Sequence, residues 1–239
     1  MTQSPGTFVL VHGSWQGGWC WSRVAEILRA AGHRVFTPTL TGLGERSHLF
    51  SGAITLTTHI ADVVNVLEWE DLTNVILCGH SYGGFVISGA AERMEHRLSS
   101  IVFLDAFLPN DGEAIVDVAA IHRTGLVDSA GRNGMGVPPF PASYFFSNEA
   151  DRAYVDAKCV MQPIGTFLEK IQINGARDRI PRKTYIRATN YASTWFDEAR
   201  RRCAADPAWE IHDLPCGHNV MLDLPDVLAE LLAAHVTAA

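Results

Sequence analysis

Short apolar runs alternate with stretches of helical periodicity along most of the chain. Ile60, Val63, Val64 and Leu67 recur at the spacing of one helix face and predict an amphipathic helix from Thr58 to Glu70. Further helices are predicted from Trp21 to Ala31 and after Pro225. The apolar runs predict strands at Thr7 to Val11, His33 to Thr37, Val75 to Cys78, Ser100 to Leu104, Thr184 to Ala188 and Trp209 to Leu214. Strands and helices in this order predict an α/β protein with a mostly parallel sheet covered by helices on both faces.

The segment from Asn110 to Arg182 departs from this rhythm. It contains a glycine-rich turn from Gly131 to Gly136, a proline-rich stretch from Pro138 to Pro141 and an aromatic run from Tyr144 to Phe146. We therefore predict a single domain spanning residues 1–239, in which residues 110–182 form a lid inserted between two strands.

The pentapeptide Gly79-His80-Ser81-Tyr82-Gly83 directly follows an apolar run and precedes a stretch of small apolar residues that suits a buried helix. This arrangement predicts a nucleophile elbow, a sharp turn that holds a serine hydroxyl clear of the backbone. Gly79 and Gly83 suit such a turn because residues without a Cβ let the strand and the helix approach closely. An ordinary glycine-rich turn is the alternative, and the flanking elements favour the elbow. Ser81 is therefore the candidate nucleophile.

A serine hydroxyl is a poor nucleophile near neutral pH until a base accepts its proton. Of the ten histidines, His218 is the best placed, because it follows the last predicted strand. When the nucleophile, the acid and the base follow one another along the chain in that order, the base lies there. We expect His12 and His80, which flank tight glycine turns, to be structural. An oxyanion hole needs two backbone N–H groups, and the candidates are those of Tyr82, directly after the nucleophile, and Ser14, in the loop after the first strand.

Composition disfavours several classes of protein. The formal net charge is −7 and no basic cluster extends beyond Arg200 to Arg202, which disfavours a nucleic-acid surface. No apolar run approaches the ~20 residues that a membrane span needs. The first residues lack the pattern of a secretory signal and the five cysteines lack paired spacing, so we expect a cytoplasmic protein with free thiols. Because no pattern of metal ligands is found, we expect no metal.

The chain resembles the α/β-hydrolase superfamily in four segments, which are His12 to Trp21, Gly79 to Gly83, Phe103 to Pro109 and Cys216 to His218. It is most similar to the branch that holds plant methylesterases, salicylate-binding esterases and hydroxynitrile lyases, and particularly to bacterial esterases of that branch. The resemblance covers nearly the whole chain. It implies a serine esterase without a cofactor, in which Ser81 is the nucleophile, His218 the base, and Ser14 and Tyr82 the oxyanion donors.

The acid is where the chain departs from the plant branch. In that branch an aspartate follows the penultimate strand, where this chain reads Ala188-Thr189-Asn190-Tyr191-Ala192 and offers no carboxylate. Asp105 ends the strand after the elbow helix, where some α/β-hydrolases, such as pancreatic lipase, place their acid, and we expect it to orient His218. A loop or capping role for Asp105 is the alternative. Three other residues are candidates for the orienting group: Asn190, Asp197 and Asp213.

The residue after His218 separates esterases from lyases. Hydroxynitrile lyases of this branch carry a lysine there, whose charge stabilises the departing cyanide, whereas this chain has Asn219. Cyanohydrin cleavage is therefore disfavoured, and we expect Asn219 to cap the following turn. A lyase or a cofactor-free oxygenase on the same fold stays open as an alternative, as does a small-molecule binding protein with residual esterase activity. Covalent modification of Ser81 would distinguish an esterase from them.

Aromatic residues of the lid predict an apolar pocket for the substrate, although such a run is also common in protein cores. The residues expected to line this pocket are Trp15, Phe140, Tyr144, Phe145 and Met161, with Phe146 beside them. The predicted reaction is acyl transfer from a small hydrophobic or aromatic carboxylic ester through Ser81, His218 and Asp105, with carbamates and activated amides as related substrates. Exposed apolar surface on the lid would also favour a homodimer.

Overall fold

A six-stranded parallel sheet forms the centre of this computed structural model, which describes residues 5–119, 123–145 and 148–236. The strands of this sheet are β1 (Thr7–Val11), β2 (Arg34–Phe36), β3 (Val75–His80), β4 (Leu98–Leu104), β7 (Arg182–Ala188) and β8 (Trp209–Leu214). Two short strands lie outside it, β5 (Gly136–Val137) and β6 (Gln162–Pro163). The sheet has the order β2-β1-β3-β4-β7-β8, while β5 and β6 pair antiparallel with each other. The register pairs His80 with Leu104 and Leu104 with Ile186, so the carboxyl ends of β3, β4 and β7 meet at one edge.

Helices cover both faces of the sheet, as the sequence predicted. They are α1 (Ser22–Ala30), α2 (Leu56–Trp69), α3 (Gly83–Met94), α4 (Ile115–Val118), α5 (Arg123–Arg132), α6 (Glu149–Lys158), α7 (Gly165–Leu168), α8 (Ala176–Arg179), α9 (Thr194–Ala204), α10 (Val220–Asp223) and α11 (Pro225–Ala233). Side chains of β1 alternate between the two faces. Phe8 and Leu10 pack in the core that contains α1 and α11, whereas Val9 and Val11 pack in the core that contains α2 and α3.

The predicted α/β fold class is confirmed, and the predicted elements differ from the observed ones mainly at their ends. Strand β8 has the predicted bounds, whereas β4 and β7 each begin two residues earlier than predicted and β2 is one residue shorter at each end. Helix α2 begins at Leu56, two residues before the predicted start. The cause is local, because Thr58 Oγ1 accepts a hydrogen bond from the Thr55 amide at 3.2 Å and closes the first turn.

The segment between β4 and β7 carries α4 to α8 and the short pair β5 and β6. Arg182, the predicted end of this insertion, is the first residue of β7. The segment is hydrogen-bonded to the loop after β1, since the Val160 amide donates to the Trp15 carbonyl at 3.0 Å and the Trp15 amide donates to Gln162 Oε1 at 2.9 Å. These bonds hold the segment beside the carboxyl edge of the sheet.

Candidate active site

Ser81 lies on a strained turn between β3 and α3. Its φ of 54° is in the left-handed region, which is uncommon for a residue with a Cβ, and its carbonyl accepts a hydrogen bond from the Phe107 amide at 3.2 Å. Two glycines are required here: a Cβ at Gly79 would lie 2.7 Å from the Gly83 carbonyl oxygen, and one at Gly84 would lie 2.1 Å from that of Phe107. The turn therefore has the geometry of the predicted elbow and presents Ser81 at the carboxyl edge of the sheet.

The structure brings His218 and Asp105 into direct contact. His218 lies in the loop after β8, and its Nδ1 donates to Oδ2 of Asp105 at 2.6 Å. Asp105 follows β4, is fully buried and has a φ of 41°. The ring of Phe196 stacks on the imidazole with 5.1 Å between centroids, which fixes the plane of the base. A proton on Nδ1 leaves Nε2 with the lone pair that a general base needs, and His218 and Ser81 line the same cavity.

The other candidates for the orienting group have different partners. Asp213 forms an ion pair with Arg200 at 2.5 Å, and Asp197 forms one with Arg187 at 2.9 Å. Asn190 is exposed. Among the four candidates, Asp105 is thus the one that contacts the base.

Arg187, near the end of β7, is a site residue that sequence reasoning missed. Its Nη1 donates to Oδ1 of Asp105 at 2.7 Å, its Nη2 to the Tyr191 carbonyl at 2.7 Å and its Nε to Oδ1 of Asp197 at 2.9 Å. Burial lowers the pKa of Arg187, but Asp105 and Asp197 raise it further, so its pKa lies above the ordinary value. Asp105 therefore gives one oxygen to the cation and the other to His218. The available signal in the sequence was Arg187 itself, a charged residue inside the predicted strand from Thr184 to Ala188.

The candidate oxyanion donors lie on either side of the elbow. Ser14 lies in the loop after β1 and lines the cavity beside Ser81. Tyr82 is the N-cap residue of helix α3. Within residues 5–119, 123–145 and 148–236, neither backbone amide has a hydrogen-bond acceptor, so both N–H groups are available to a ligand. The Tyr82 side chain is turned away, and its hydroxyl contacts Nδ1 of His59 at 3.0 Å. A loop amide and a helix-start amide together suit a developing oxyanion.

His12 and His80 make the structural contacts expected of them. His80 Nε2 donates to the carbonyl of His218 at 2.9 Å. His12 Nε2 accepts from the Leu40 amide at 3.0 Å, and its Nδ1 donates to the Gly13 carbonyl at 2.8 Å. Burial lowers the pKa of His12 to about 4 and holds the pKa of His80 well below its ordinary value. Both rings are therefore neutral near pH 7 and fasten the loops around the cavity.

A small cavity lies beside Ser81 and His218. Its volume is about 30 Å³, far below the roughly 300–1,000 Å³ of typical ligand sites. Three of the predicted pocket residues line it, namely Trp15, Phe140 and Phe145. In this structure the cavity is therefore smaller than a pocket that would enclose an aromatic ring.

The remaining predicted pocket residues lie outside the cavity wall. Tyr144 is 61% exposed and stacks on Phe140 with 5.4 Å between ring centroids. Met161 is 43% exposed and covers Gly136, where a Cβ would lie 2.9 Å from its sulfur. Phe146 lies outside the described residues. The aromatic run is thus divided, with Phe145 in the wall and Tyr144 on the surface.

The expectation that Asn219 caps the following turn is wrong for its side chain. Asn219 precedes α10, but its side chain makes no capping hydrogen bond. Its Oδ1 instead accepts from Nε2 of Gln16 at 2.7 Å, because both side chains are directed into the cavity wall. Sequence reasoning missed Gln16, for which the glycine-rich loop after β1 gave no separate signal.

The described part of the chain contains no group of three or more His, Cys, Asp or Glu residues placed to hold a metal ion. Over the same residues, no helix is long and apolar enough to cross a bilayer. The five cysteines are all unpaired. Burial raises the pKa of Cys159, at the edge of the cavity, to about 12, so its thiol is protonated near pH 7.

Comparison with known proteins identifies the family. The model of the alpha/beta hydrolase family matches residues 8–231, so the chain belongs to this family.

Three relatives narrow the assignment. A carbendazim hydrolyzing esterase of Nocardioides sp. (strain SG-4G) is 40% identical over 237 residues, which cover 95% of this chain and 98% of the relative. Methylesterase 1 of Arabidopsis thaliana is 38% identical over 114 residues, which cover 43% of this chain and 40% of the relative. An extracellular α/β-hydrolase from a Paenibacillus species, which shares structural and functional homology with tobacco salicylic acid binding protein 2, superposes with a TM-score of 0.85. It is 26% identical, and the match covers 97% of this chain and 99% of the other. The resemblance inferred from the motifs is thus confirmed, and the chain is a carboxylic ester hydrolase.

Proposed function

We propose that Ser81, His218 and Asp105 form a catalytic triad for acyl transfer. The observation that carries this proposal is the 2.6 Å contact of His218 with Asp105 beside a cavity that Ser81 lines. Ser81 Oγ bonds to the substrate carbonyl carbon while His218 Nε2 takes the hydroxyl proton, and the amides of Ser14 and Tyr82 bind the oxyanion. The bond to the leaving oxygen then breaks as His218 returns the proton to it. Water attacks the acyl-enzyme with His218 as base, which frees the acid and restores Ser81.

The proposed substrates are small hydrophobic or aromatic esters and carbamates. Trp15, Phe140 and Phe145 give the cavity an apolar wall that suits an aromatic group. The Nocardioides relative is named for hydrolysing carbendazim, a carbamate. We assign Tyr144 and Met161 to a surface that contacts the substrate once the wall has opened.

The proposed lid is the segment 110–182 of a single domain that spans residues 1–239. This segment supplies Phe140 and Phe145 to a cavity that is too small for an aromatic ester. Two of the hydrogen bonds that join this segment to the cavity wall are those from the Trp15 indole N–H to the Val137 carbonyl at 3.0 Å and from the His218 amide to the Phe145 carbonyl at 3.0 Å. Opening of the lid breaks bonds of this kind in exchange for contacts with the substrate.

Two further proposals concern assembly and location. Exposed apolar side chains on the lid, such as Met135 and Tyr144, which are 48% and 61% exposed, support a homodimer. Light scattering of the purified protein measures the mass of the assembly and tests this proposal.

The unpaired cysteines support a reducing, cytoplasmic location, whereas the Paenibacillus relative is extracellular.

A fluorophosphonate tests the proposed nucleophile without knowledge of the substrate, because it phosphonylates an activated serine with loss of fluoride. We expect one label per chain in the mass spectrum of the intact protein. The label is lost in Ser81→Ala and kept in Ser51→Ala, which changes an exposed serine outside the cavity. Absence of labelling in the natural protein, or labelling that persists in Ser81→Ala, would reject Ser81 as the nucleophile.

A further inference from the structure

Gln16 and Asn219 form a buried polar pair in the wall of the active-site cavity. Gln16 Nε2 donates to Asn219 Oδ1 at 2.7 Å, and the two residues are 5% and 1% exposed. The other oxygen of the pair, Gln16 Oε1, is buried and has no hydrogen-bond partner within the described part of the chain. The cavity wall thus contains an acceptor that the protein itself leaves unpaired.

This acceptor lies close to the reacting groups along the chain. Gln16 is two residues after Ser14, whose amide is a proposed oxyanion donor, and Asn219 directly follows His218. All four residues line the same cavity. A ligand group that reaches Gln16 Oε1 is therefore near the scissile carbonyl rather than at the far end of the substrate.

The aromatic residues of the wall provide no donor for this oxygen. The indole N–H of Trp15 donates to the Val137 carbonyl at 3.0 Å, and the Trp15 backbone N–H donates to Gln162 Oε1 at 2.9 Å. Phe140 and Phe145 carry no donor in their side chains. A substrate without a donor at this point excludes water and buries the acceptor unpaired, whereas a substrate with an N–H satisfies it.

We propose that Gln16 Oε1 accepts a hydrogen bond from an N–H group bonded to the scissile carbonyl, so that the enzyme selects N–H carbamates over esters of the same shape. Asn219 orients the Gln16 amide by accepting from its Nε2. The proposal rests on the acyl-transfer function proposed above and identifies the carbamates as the preferred class. Sites built to bond a substrate N–H discriminate against analogues that lack it, because their own polar group is then left unpaired.

Two substrates of nearly equal shape test this selection: methyl N-phenylcarbamate, which has an N–H beside the carbonyl, and methyl phenylacetate, which has a methylene there. The measured quantity is the ratio of their kcat/KM values, in the natural protein and in Gln16→Met. Because the intrinsic reactivities cancel between the two proteins, the change in the ratio reports the hydrogen bond alone. We expect the ratio to fall about 10- to 100-fold in Gln16→Met, the range of one buried hydrogen bond.

Three controls separate the outcomes. Gln172→Met changes an exposed glutamine away from the cavity and leaves the ratio at its natural value. Asn219→Leu removes the orienting partner and lowers the ratio in the same direction. Methyl N-methyl-N-phenylcarbamate, which lacks the N–H, is hydrolysed with no greater sensitivity to Gln16→Met than the ester.

Labelling by a fluorophosphonate distinguishes the two proposals. If Gln16→Met is labelled like the natural protein and its ratio is unchanged, the selection by Gln16 is wrong while the catalytic serine stands. If the natural protein is neither labelled nor active on either substrate, the acyl-transfer function itself is wrong. An equal effect of Gln16→Met on both carbamates would also overturn the role of the N–H.

Discussion

Replacing Arg187 with methionine removes the cation beside the proposed catalytic acid while nearly preserving side-chain volume. Asp105 is fully buried, and Arg187 donates to it at 2.7 Å from a side chain that is 3% exposed. After the substitution, the carboxylate keeps hydrogen bonds from the Ala188 amide at 3.1 Å and from His218 at 2.6 Å. It nevertheless loses the full positive charge that compensates its burial.

The size of the effect follows from the geometry of the pair. Contact at 2.7 Å between nitrogen and oxygen puts the charge centres about 4 Å apart, where two unit charges interact by about 4 kcal/mol at an effective dielectric constant of about 20. Removing one partner of a buried pair costs about 3–5 kcal/mol. Asp197 is 63% exposed in its pair with Arg187, so loss of that contact adds little. We expect Arg187→Met to lower the free energy of unfolding by about 3–4 kcal/mol.

Urea unfolding, followed by tryptophan fluorescence, measures this quantity in a double-mutant cycle of Arg187→Met and Asp105→Asn. The double variant carries neither charge, so its loss of stability is smaller than the sum of the single losses by about 2 kcal/mol. Arg200→Met is the matched control, because it breaks the exposed pair with Asp213 and costs about 1 kcal/mol or less. Additive losses, within about 0.5 kcal/mol, would refute the reasoning.

Three other predictions concern kinetics, packing and pH. Asp105→Asn is expected to lower kcat about 10⁴-fold, which is the effect of the same change in a serine protease. Asn190→Ala is expected to leave kcat nearly unchanged. If steady-state kinetics gave the reverse pattern, the role of the acid would be reassigned to Asn190. Gly84→Ala places a Cβ 2.1 Å from a carbonyl oxygen and is expected to lower the melting temperature strongly. The Cβ of Gly131→Ala meets nothing within 4 Å, so this variant preserves or raises the melting temperature. Equal melting temperatures of the two variants would contradict this packing. Burial lowers the pKa of His235 to about 4, whereas in the unfolded chain the pKa is about 6.5. Protonation therefore favours the unfolded chain, and the contribution of the neutral His235 to stability, complete above pH 6.5, is lost as the pH falls toward 4. Between pH 7.5 and 5.5 the natural protein therefore loses about 1 kcal/mol more unfolding free energy than His235→Gln in urea titrations, and equal losses would exclude this linkage.

The inner strands of the sheet were predictable because they are buried on both faces and read as apolar runs, as in β3. Strand β8 lies at an edge of the sheet and is mostly half-buried or exposed, yet its bounds agree with the prediction. The ends of other elements depend on side-chain contacts that periodicity does not contain, such as the hydrogen bond to Thr58 at the start of α2. The pair β5 and β6 was missed because strands of two residues carry no periodic signal.

For the proposed active site, sequence motifs pointed to Ser81 and His218, and the position of a carboxylate after β4 pointed to Asp105, which contacts His218 in the structure. The polar contacts around these residues were not predictable in the same way. Arg187 meets Asp105 across 82 residues, and Gln16 meets Asn219 across 203 residues. Such contacts arise only when the sheet and its loops have assembled, and no local pattern in the chain encodes them.

The position of Asp105 directly after β4, beside Arg187 on the adjacent strand β7, bears on how this proposed active site can be re-engineered. Moving the carboxylate alone to the loop after β7 would leave the buried guanidinium of Arg187 paired with the exposed Asp197 instead of with a buried anion. Replacing Arg187 alone would bury the Asp105 carboxylate without its cation. Either single change gives a destabilised protein, so a redesign of this site has to move the acid and the arginine together.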